Sequence, residues 1–298
     1  MKLFKRNLII EVGDEGESLI IKAPLTIQAT IVKDIKTGEN DYAQVVITNL
    51  SPVSRDKINT QYGKIRILGG YGDQEDLIFL GNIISATHKK EGPEWISTIE
   101  CGDGIETLDK AIINKTYEKG FKLGDIIKDF AKISDLSIES IIGIDETFSL
   151  SRGKAFSMDM KQALTELGNA NNFDWSIQDN KLAIVKRGQG REIATNVISA
   201  RTGMVGSPEW INTGADAQKT ATQKGQAFKV NSLCIPSLRP ADRVIIKSES
   251  LEGRIAGYNY SIEKEEYETE FIVTKLQHDL NSRSGNFITQ IECTTVEV

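Results

Sequence analysis

Apolar and polar residues alternate through most of the first hundred positions. Leu25, Ile27, Ala29 and Ile31 share one face, and the pattern predicts a strand over Leu25–Val32. Leu8–Val12, Leu19–Ile21, Tyr42–Thr48 and Lys64–Leu68 read as further strands, with turns at Gly13–Gly16 and Lys36–Asn40. Ser51 before Pro52 is an N-cap followed by a first-turn proline, so a short helix is expected there. Leu77–Lys89 and Trp95–Cys101 flank the turn Glu91-Gly92-Pro93-Glu94 and predict a long hairpin. In its second strand Trp95, Ser97, Ile99 and Cys101 fall on one face, and Ile96, Thr98 and Glu100 on the other.

After Gly104 the period changes from two to that of a helix. Leu123, Ile126, Ile127, Phe130 and Ile133 line one helical face, with Lys128, Asp129 and Lys132 opposite. A second helix is expected from about Met158 to Leu167, capped by Ser157 and ended near Gly168. Phe173–Gln178 and Leu182–Lys186 predict a short hairpin around Gln178–Lys181, and Gly188–Arg191 an exit linker. Arg201–Trp210 reads as a glycine-punctuated bend. Asn212–Gln226 is small, polar and aperiodic, and is expected to be a mobile arm that orders against a neighbouring chain. Phe228–Ile235, Arg243–Ser248, Arg254–Ile262 and a hairpin over Ile272–Thr295 return to β-structure.

The last hairpin echoes the first. Ile96–Cys101 matches Ile288–Cys293 in the pattern Ile-x-x-Ile-Glu-Cys, an aromatic precedes each (Trp95, Phe287), and a histidine precedes each turn (His88, His278). These are the only two histidines, and Cys101 and Cys293 are two of the three cysteines. Two readings stand: unrelated hairpins of like composition, or an internal duplication. Duplication predicts that Cys101 and Cys293 face the same way in their own sheets, with each histidine on the partner strand near the turn. The mismatch in loop length is then absorbed in the turn alone.

Composition narrows the function. The chain has 298 residues, 39% hydrophobic and 26% charged, enough for two or three globular domains. Its net charge of −6 argues against a general nucleic-acid binder. The three cysteines form no CxxC pair, so neither a disulfide framework nor a zinc ribbon is suggested. The start, MKLFKRNLIIEVGDEGE, does not have the pattern of a signal peptide, and no stretch is long and apolar enough for a membrane span.

Candidate chemistry is sparse. His88 with Cys101, or His278 with Cys293, offers two ligands where structural zinc takes four. The same pairs as Cys–His nucleophiles would place two catalytic dyads at repeated positions, which duplication of packing positions explains more simply. Gly69–Asp73 is glycine-rich but lacks the Lys-Ser/Thr of a phosphate loop. The carboxylates Asp145-Glu146 are what any solvated acidic face supplies. The expectation is therefore no catalytic, cofactor-binding or metal-binding residues, and no enzyme.

Taken in order, Leu80-Gly81, GPEWISTIECGDG, NNFDWSIQDNKLAIVKRG and TGMVGSPEW resemble the baseplate hub proteins of contractile-tailed bacteriophages. These form the late-control-protein-D-like group, related to the hub part of type VI secretion spike proteins. One departure is that His278 is followed by Asp279-Leu280 where relatives often carry Gly-Asp. The resemblance implies a mainly β chain: two tube-like antiparallel β-barrel domains, at 1–110 and 193–298, with a small α/β module at 111–192 as an insertion. It also implies a structural homotrimer in the virion baseplate, assembled in the host cytoplasm. Six like domains in three chains would join a sixfold tail tube to a threefold central spike. The implied partners are the tail tube protein and the central spike protein, with the tape measure protein and baseplate wedge as further neighbours. No cofactor, sequence-specific nucleic acid or membrane is implied, and an acidic wall suits a lumen that passes DNA. Two other classes stay open. A carbohydrate- or receptor-binding tail protein would cluster exposed aromatics, whereas Trp95, Trp175 and Trp210 are scattered. A cell-wall hydrolase would show activity on peptidoglycan.

Overall fold

The computed structural model describes residues 5–13, 18–35, 41–59, 63–104, 108, 110–191, 196–211, 227–255 and 258–295. The Asn212–Gln226 arm lies outside them. The chain is mainly β. Its first part runs β1 (Arg6–Val12), β2 (Leu19–Ile21), β3 (Ile27–Asp34), β4 (Tyr42–Thr48), α1 (Pro52–Ile58), β5 (Lys64–Tyr71), β6 (Asp76–Glu91) and β7 (Glu94–Gly102). Ser51 caps α1 as expected, its hydroxyl accepting from the Ser54 N–H at 3.1 Å. The expected hairpin is β6–β7, and its Ser97, Ile99 and Cys101 are fully buried.

The middle part runs β8 (Ile112–Tyr117), α2 (Leu123–Ile133), β9 (Ser137–Ile142), β10 (Lys154–Asp159), α3 (Met160–Asn171), β11 (Phe173–Gln178) and β12 (Lys181–Lys186). The two helices pack over a core of Ile113, Tyr117, Ile126, Phe130, Phe156, Leu164, Leu167 and Trp175. Three of these strands were not expected. β8 and β10 pair with each other, and β9 joins β12 in parallel. Helix α3 consequently begins later than expected. Ser157 and Met158 belong to β10, opposite Asn114 and Ile113, and the cap is Asp159, which accepts from the Gln162 N–H at 2.8 Å. The helix also passes through Gly168, where a Cβ would come within 2.7 Å of the Phe173 carbonyl. That glycine permits close packing on β11 and is no terminator. The end comes at Asn172, in the left-handed conformation.

The last part runs β13 (Asn196–Ile198), β14 (Met204–Ile211), β15 (Ala227–Leu233), β16 (Arg243–Ile255), β17 (Tyr258–Asn281) and β18 (Phe287–Thr295). The expected bend at Arg201–Trp210 is instead largely strand. A bulge between Val205 and Glu209 accommodates Gly206 and Pro208, which the periodicity alone reads as breakers.

Among the described residues, thirteen strands join in one sheet, in the order β13-β16-β14-β15-β18-β17-β3-β4-β7-β6-β5-β1-β2, and β16 also pairs with β17. No closed barrel is detected among the described residues. The sheet runs unbroken between the N- and C-terminal parts because β3 pairs with β17. The core under the N-terminal strands accordingly takes in Cys234, Leu280 and Phe287 from the C-terminal part.

Candidate functional site

One strand plan occurs twice. The order β3-β4-β7-β6-β5 in the first part corresponds to β14-β15-β18-β17-β16 in the last, in the same chain sequence. Registers agree residue by residue. Cys101 stands opposite Ala43 and Ile83, and Cys293 opposite Phe228 and Val273. One residue further along each hairpin the ladder slips at an equivalent bulge, between Ile83 and Ser85 and between Val273 and Lys275. Then His88 pairs with Ser97 and His278 with Thr289, each Nδ1 within 2.9 and 2.8 Å of the facing hydroxyl. Strands β4 and β15 show identical alternation of buried and half-buried positions. The unequal loop lengths are absorbed beyond Lys90–Trp95 and Leu280–Phe287, in the turns themselves.

The histidines and cysteines do not meet as ligand pairs. Each histidine is spent on a hydroxyl of the neighbouring strand, four residues along it from the cysteine. The cysteines are buried in the apolar layer, which raises all three thiols, Cys101 and Cys234 to about 12. They stay protonated and poorly nucleophilic at neutral pH. Asp145 accepts from Thr147 in an exposed turn, and Glu146 meets Lys128 at 2.9 Å on the surface. Gly69 and Gly70 are spent on packing in β5, where a Cβ on Gly70 would strike the Gln74 carbonyl at 2.2 Å.

Among the described residues, buried charge gathers at the seam between the two parts. On β3 the inward face runs Ile27, Ala29, Ile31 and then Lys33, whose side chain is wholly buried. Its Nζ lies 3.1 Å from Asp179 Oδ1. Asp179 and Asn180 form the tip of the β11–β12 hairpin, both at positive φ (53° and 62°), conformations that Asp and Asn tolerate. This tip plugs the seam. Asp179 also accepts from the Leu80 N–H at 3.2 Å and pairs with Arg239 at 2.9 Å, so one carboxylate ties three parts of the chain. The Asn180 N–H donates to Asp103 at 3.0 Å, and Asp41 accepts from the Asp34 N–H at 3.2 Å. On the far side Arg191 binds Asp242 at 3.0 Å and Glu139 at 2.8 Å, strapping the helical part to the last strands. Sequence reading missed this cluster. Its one local signal is a lysine continuing an apolar strand face.

Burial sets the protonation of these groups. It pushes Asp103 up to about 7, against the opposing pull of the Asn180 N–H and Lys33. It raises Asp41 well above the usual range, with Lys33 again opposing. Burial, with Lys33 and Arg239 nearby, lowers His278 to about 3. For Asp103 the unfolded chain ionises near 3.8 and the folded chain near 7, so stability falls as pH rises through that window. Asp103→Asn keeps an acceptor for the Asn180 N–H and removes the ionisation. Relative to the wild type it should gain stability between pH 4 and pH 8, by a few kcal/mol at most. Urea midpoints at the two pH values check this; a difference that does not change with pH would contradict it. His278 acts in the opposite sense, costing stability as pH falls below 6.5 toward 3.

The cluster joins one sheet unit to the other through charge and hydrogen bonds. No curated protein matches the chain in sequence. Solved structures share its fold. The 43 kDa tail protein of prophage MuSo2 from Shewanella oneidensis aligns at 10% identity over 97% of this chain and 98% of its own, with a TM-score of 0.63. A tail protein of Neisseria meningitidis MC58 aligns at 13% identity over 98% and 97%, with a TM-score of 0.60. The Escherichia coli c3393 protein aligns at 10% identity over 97% and 77%, with a TM-score of 0.58. It is a component of the type VI secretion system with structural similarity to the T4 tail proteins gp27 and gp5. The baseplate hub gp41 family matches residues 7–250, and with most of the chain so covered the protein belongs to that family of structural phage tail proteins.

Proposed function

We propose that the chain is a trimeric hub that joins the sixfold tail tube of a contractile tail to its threefold central spike. The observation that carries this is the strand plan that occurs twice, down to the position of its bulge and its histidine. Three chains with two like units each present six similar edges to a tube and three identical chains to a spike. On this reading residues 1–110 and 193–298 are the tube-like domains, and 111–192 is the α/β module whose tip locks them together. The sheet of each domain is then one sector of a wall that closes between chains, which accounts for a sheet that stays open within one. The tail tube protein and the central spike are the direct partners, with tape measure and baseplate wedge proteins adjacent, and the role is structural rather than enzymatic. Assembly in the host cytoplasm would precede incorporation into the virion. The net charge of −6 suits a wall past which DNA moves without adhering.

Native mass spectrometry of the full chain, alone and with the tail tube protein, is expected to show three copies. A closed dimer in both conditions would overturn the reading.

A further inference from the structure

Among the described residues, strand β6 has an unpaired edge where its counterpart β17 has a partner. Strand β5 pairs with β6 only as far as Asn82, just as β16 pairs with this part of β17 as far as Ile272. The next residue of each, Ile83 and Val273, donates to the residue before the outer strand, Gly63 and Asp242, at 2.8 and 2.9 Å. Past that point β17 turns its edge to β3, from Lys275–Asp34 to Asn281–Gln28. Past the same point no strand pairs with that edge of β6 among the described residues. Ile84, Thr87, Lys89, Lys90 and Glu91 are exposed along it. A long unpaired edge is a template for another strand.

The duplication names that strand. Strand β14 occupies in the last part the place of β3 in the first. Ile31 faces Ala43 as Trp210 faces Phe228, and Ala43 and Phe228 are the residues opposite the two cysteines. On its outer side β14 is held by β16 at a single parallel pair, Glu209–Glu252. We infer that β14 of a second copy of this chain adds antiparallel to the free edge of β6, in the register that β3 takes on β17 within one chain. This rests on the trimeric reading above and specifies its interface. The intrachain pairs are Gln277–Val32, His278–Ile31 and Asp279–Thr30. Their interchain counterparts are Thr87–Ile211, His88–Trp210 and Lys89–Glu209. The incoming strand displaces the lone pair with β16.

The last of these pairs supplies the charge complementarity. In the intrachain seam the Thr30 hydroxyl donates to Asp279 at 3.3 Å. At the equivalent interchain position the strand edge carries Lys89 and the incoming strand Glu209, so a neutral-to-acidic pair is replaced by opposite charges. Six junctions then close the ring, three within chains and three between them. The charged pair occurs only in the latter.

Cross-linking of the full chain tests this. Lys89→Cys with Glu209→Cys, oxidised under mild conditions, should give disulfide-linked species of up to three chains, and neither single variant should. Thr30→Cys with Asp279→Cys is the geometric control and should close within one chain. Lys89→Glu should weaken trimerisation on the order of fivefold per interface, and adding Glu209→Lys should restore it. A native trimer in which the control closes but the Lys89–Glu209 pair does not, or charge reversal without rescue, would overturn the register and leave the hub reading standing. Absence of a trimer, with and without tube protein, would overturn both.

Discussion

Lys33→Met is expected to destabilise the protein by about 3–5 kcal/mol, the cost of removing one partner from a buried ion pair. The Lys33 side chain is fully buried and its Nζ faces Asp179 at 3.1 Å, with Asp41 and Asp103 close enough for its charge to lower both. Methionine approximates the aliphatic stem, so the loss falls on the charge and not on packing. Asp179 would keep Arg239 at 2.9 Å and the Leu80 N–H, but among the described residues Asp41, Asp103 and Asp179 would then share Arg239 as their one nearby cation in the seam. The double variant Lys33→Met with Asp179→Asn should recover only part of the loss, because it leaves Arg239 without its carboxylate. Asparagine retains an acceptor for the Leu80 N–H and tolerates the positive φ at that position. Urea unfolding of the three proteins decides the matter. Equal stability of the single variant and the wild type would mean that the plug does not hold the seam.

Ile99→Ala and Ile291→Ala should each cost about 2–5 kcal/mol, and by similar amounts. Both residues are fully buried, each in the second strand of its hairpin, opposite Val45 and Val230 respectively. Ile99 faces Ala86 on the other side, whereas Ile291 faces the larger Leu276, so the second cavity is bounded by bulkier neighbours and should collapse less. The expected order is thus Ile291→Ala slightly worse than Ile99→Ala. Thermal or urea unfolding checks it. A loss at one position without a comparable loss at the other would contradict equivalence of the two units.

What the sequence made legible follows from range of interaction. In Ile-x-x-Ile-Glu-Cys the strand period of two sorts Ile99 and Cys101 from Glu100, and the same for Ile291, Cys293 and Glu292, without knowledge of what lies opposite. The Ser51-Pro52 helix start was equally readable, because cap and proline act within one turn. The start of α3 was not. Ser157 and Asp159 are both good caps, and the choice fell to β8, some forty residues earlier in the chain, which claims Ser157 for a ladder. Strand β9 pairs in parallel with a strand beyond the next helix, and β14 hides behind a bulge. In both cases the partner supplies the order that local propensity lacks. The histidines stand out by their scarcity, but their hydroxyl partners lie on the next strand, beyond any local pattern. The Lys33–Asp179 pair joins residues 146 positions apart, and no local pattern states that a particular turn will meet a particular strand. Motif order carries the family resemblance, whereas the seam exists only in the fold.

The proposed hub depends on the equivalence of the two β-units in an assembled ring. Electron cryomicroscopy of the assembled particle, viewed down its axis, measures this directly. Six similar sheet densities at one radius, with threefold modulation from the α/β modules, are the predicted result. Three densities at that radius with the second unit elsewhere, or a twofold particle, would contradict it.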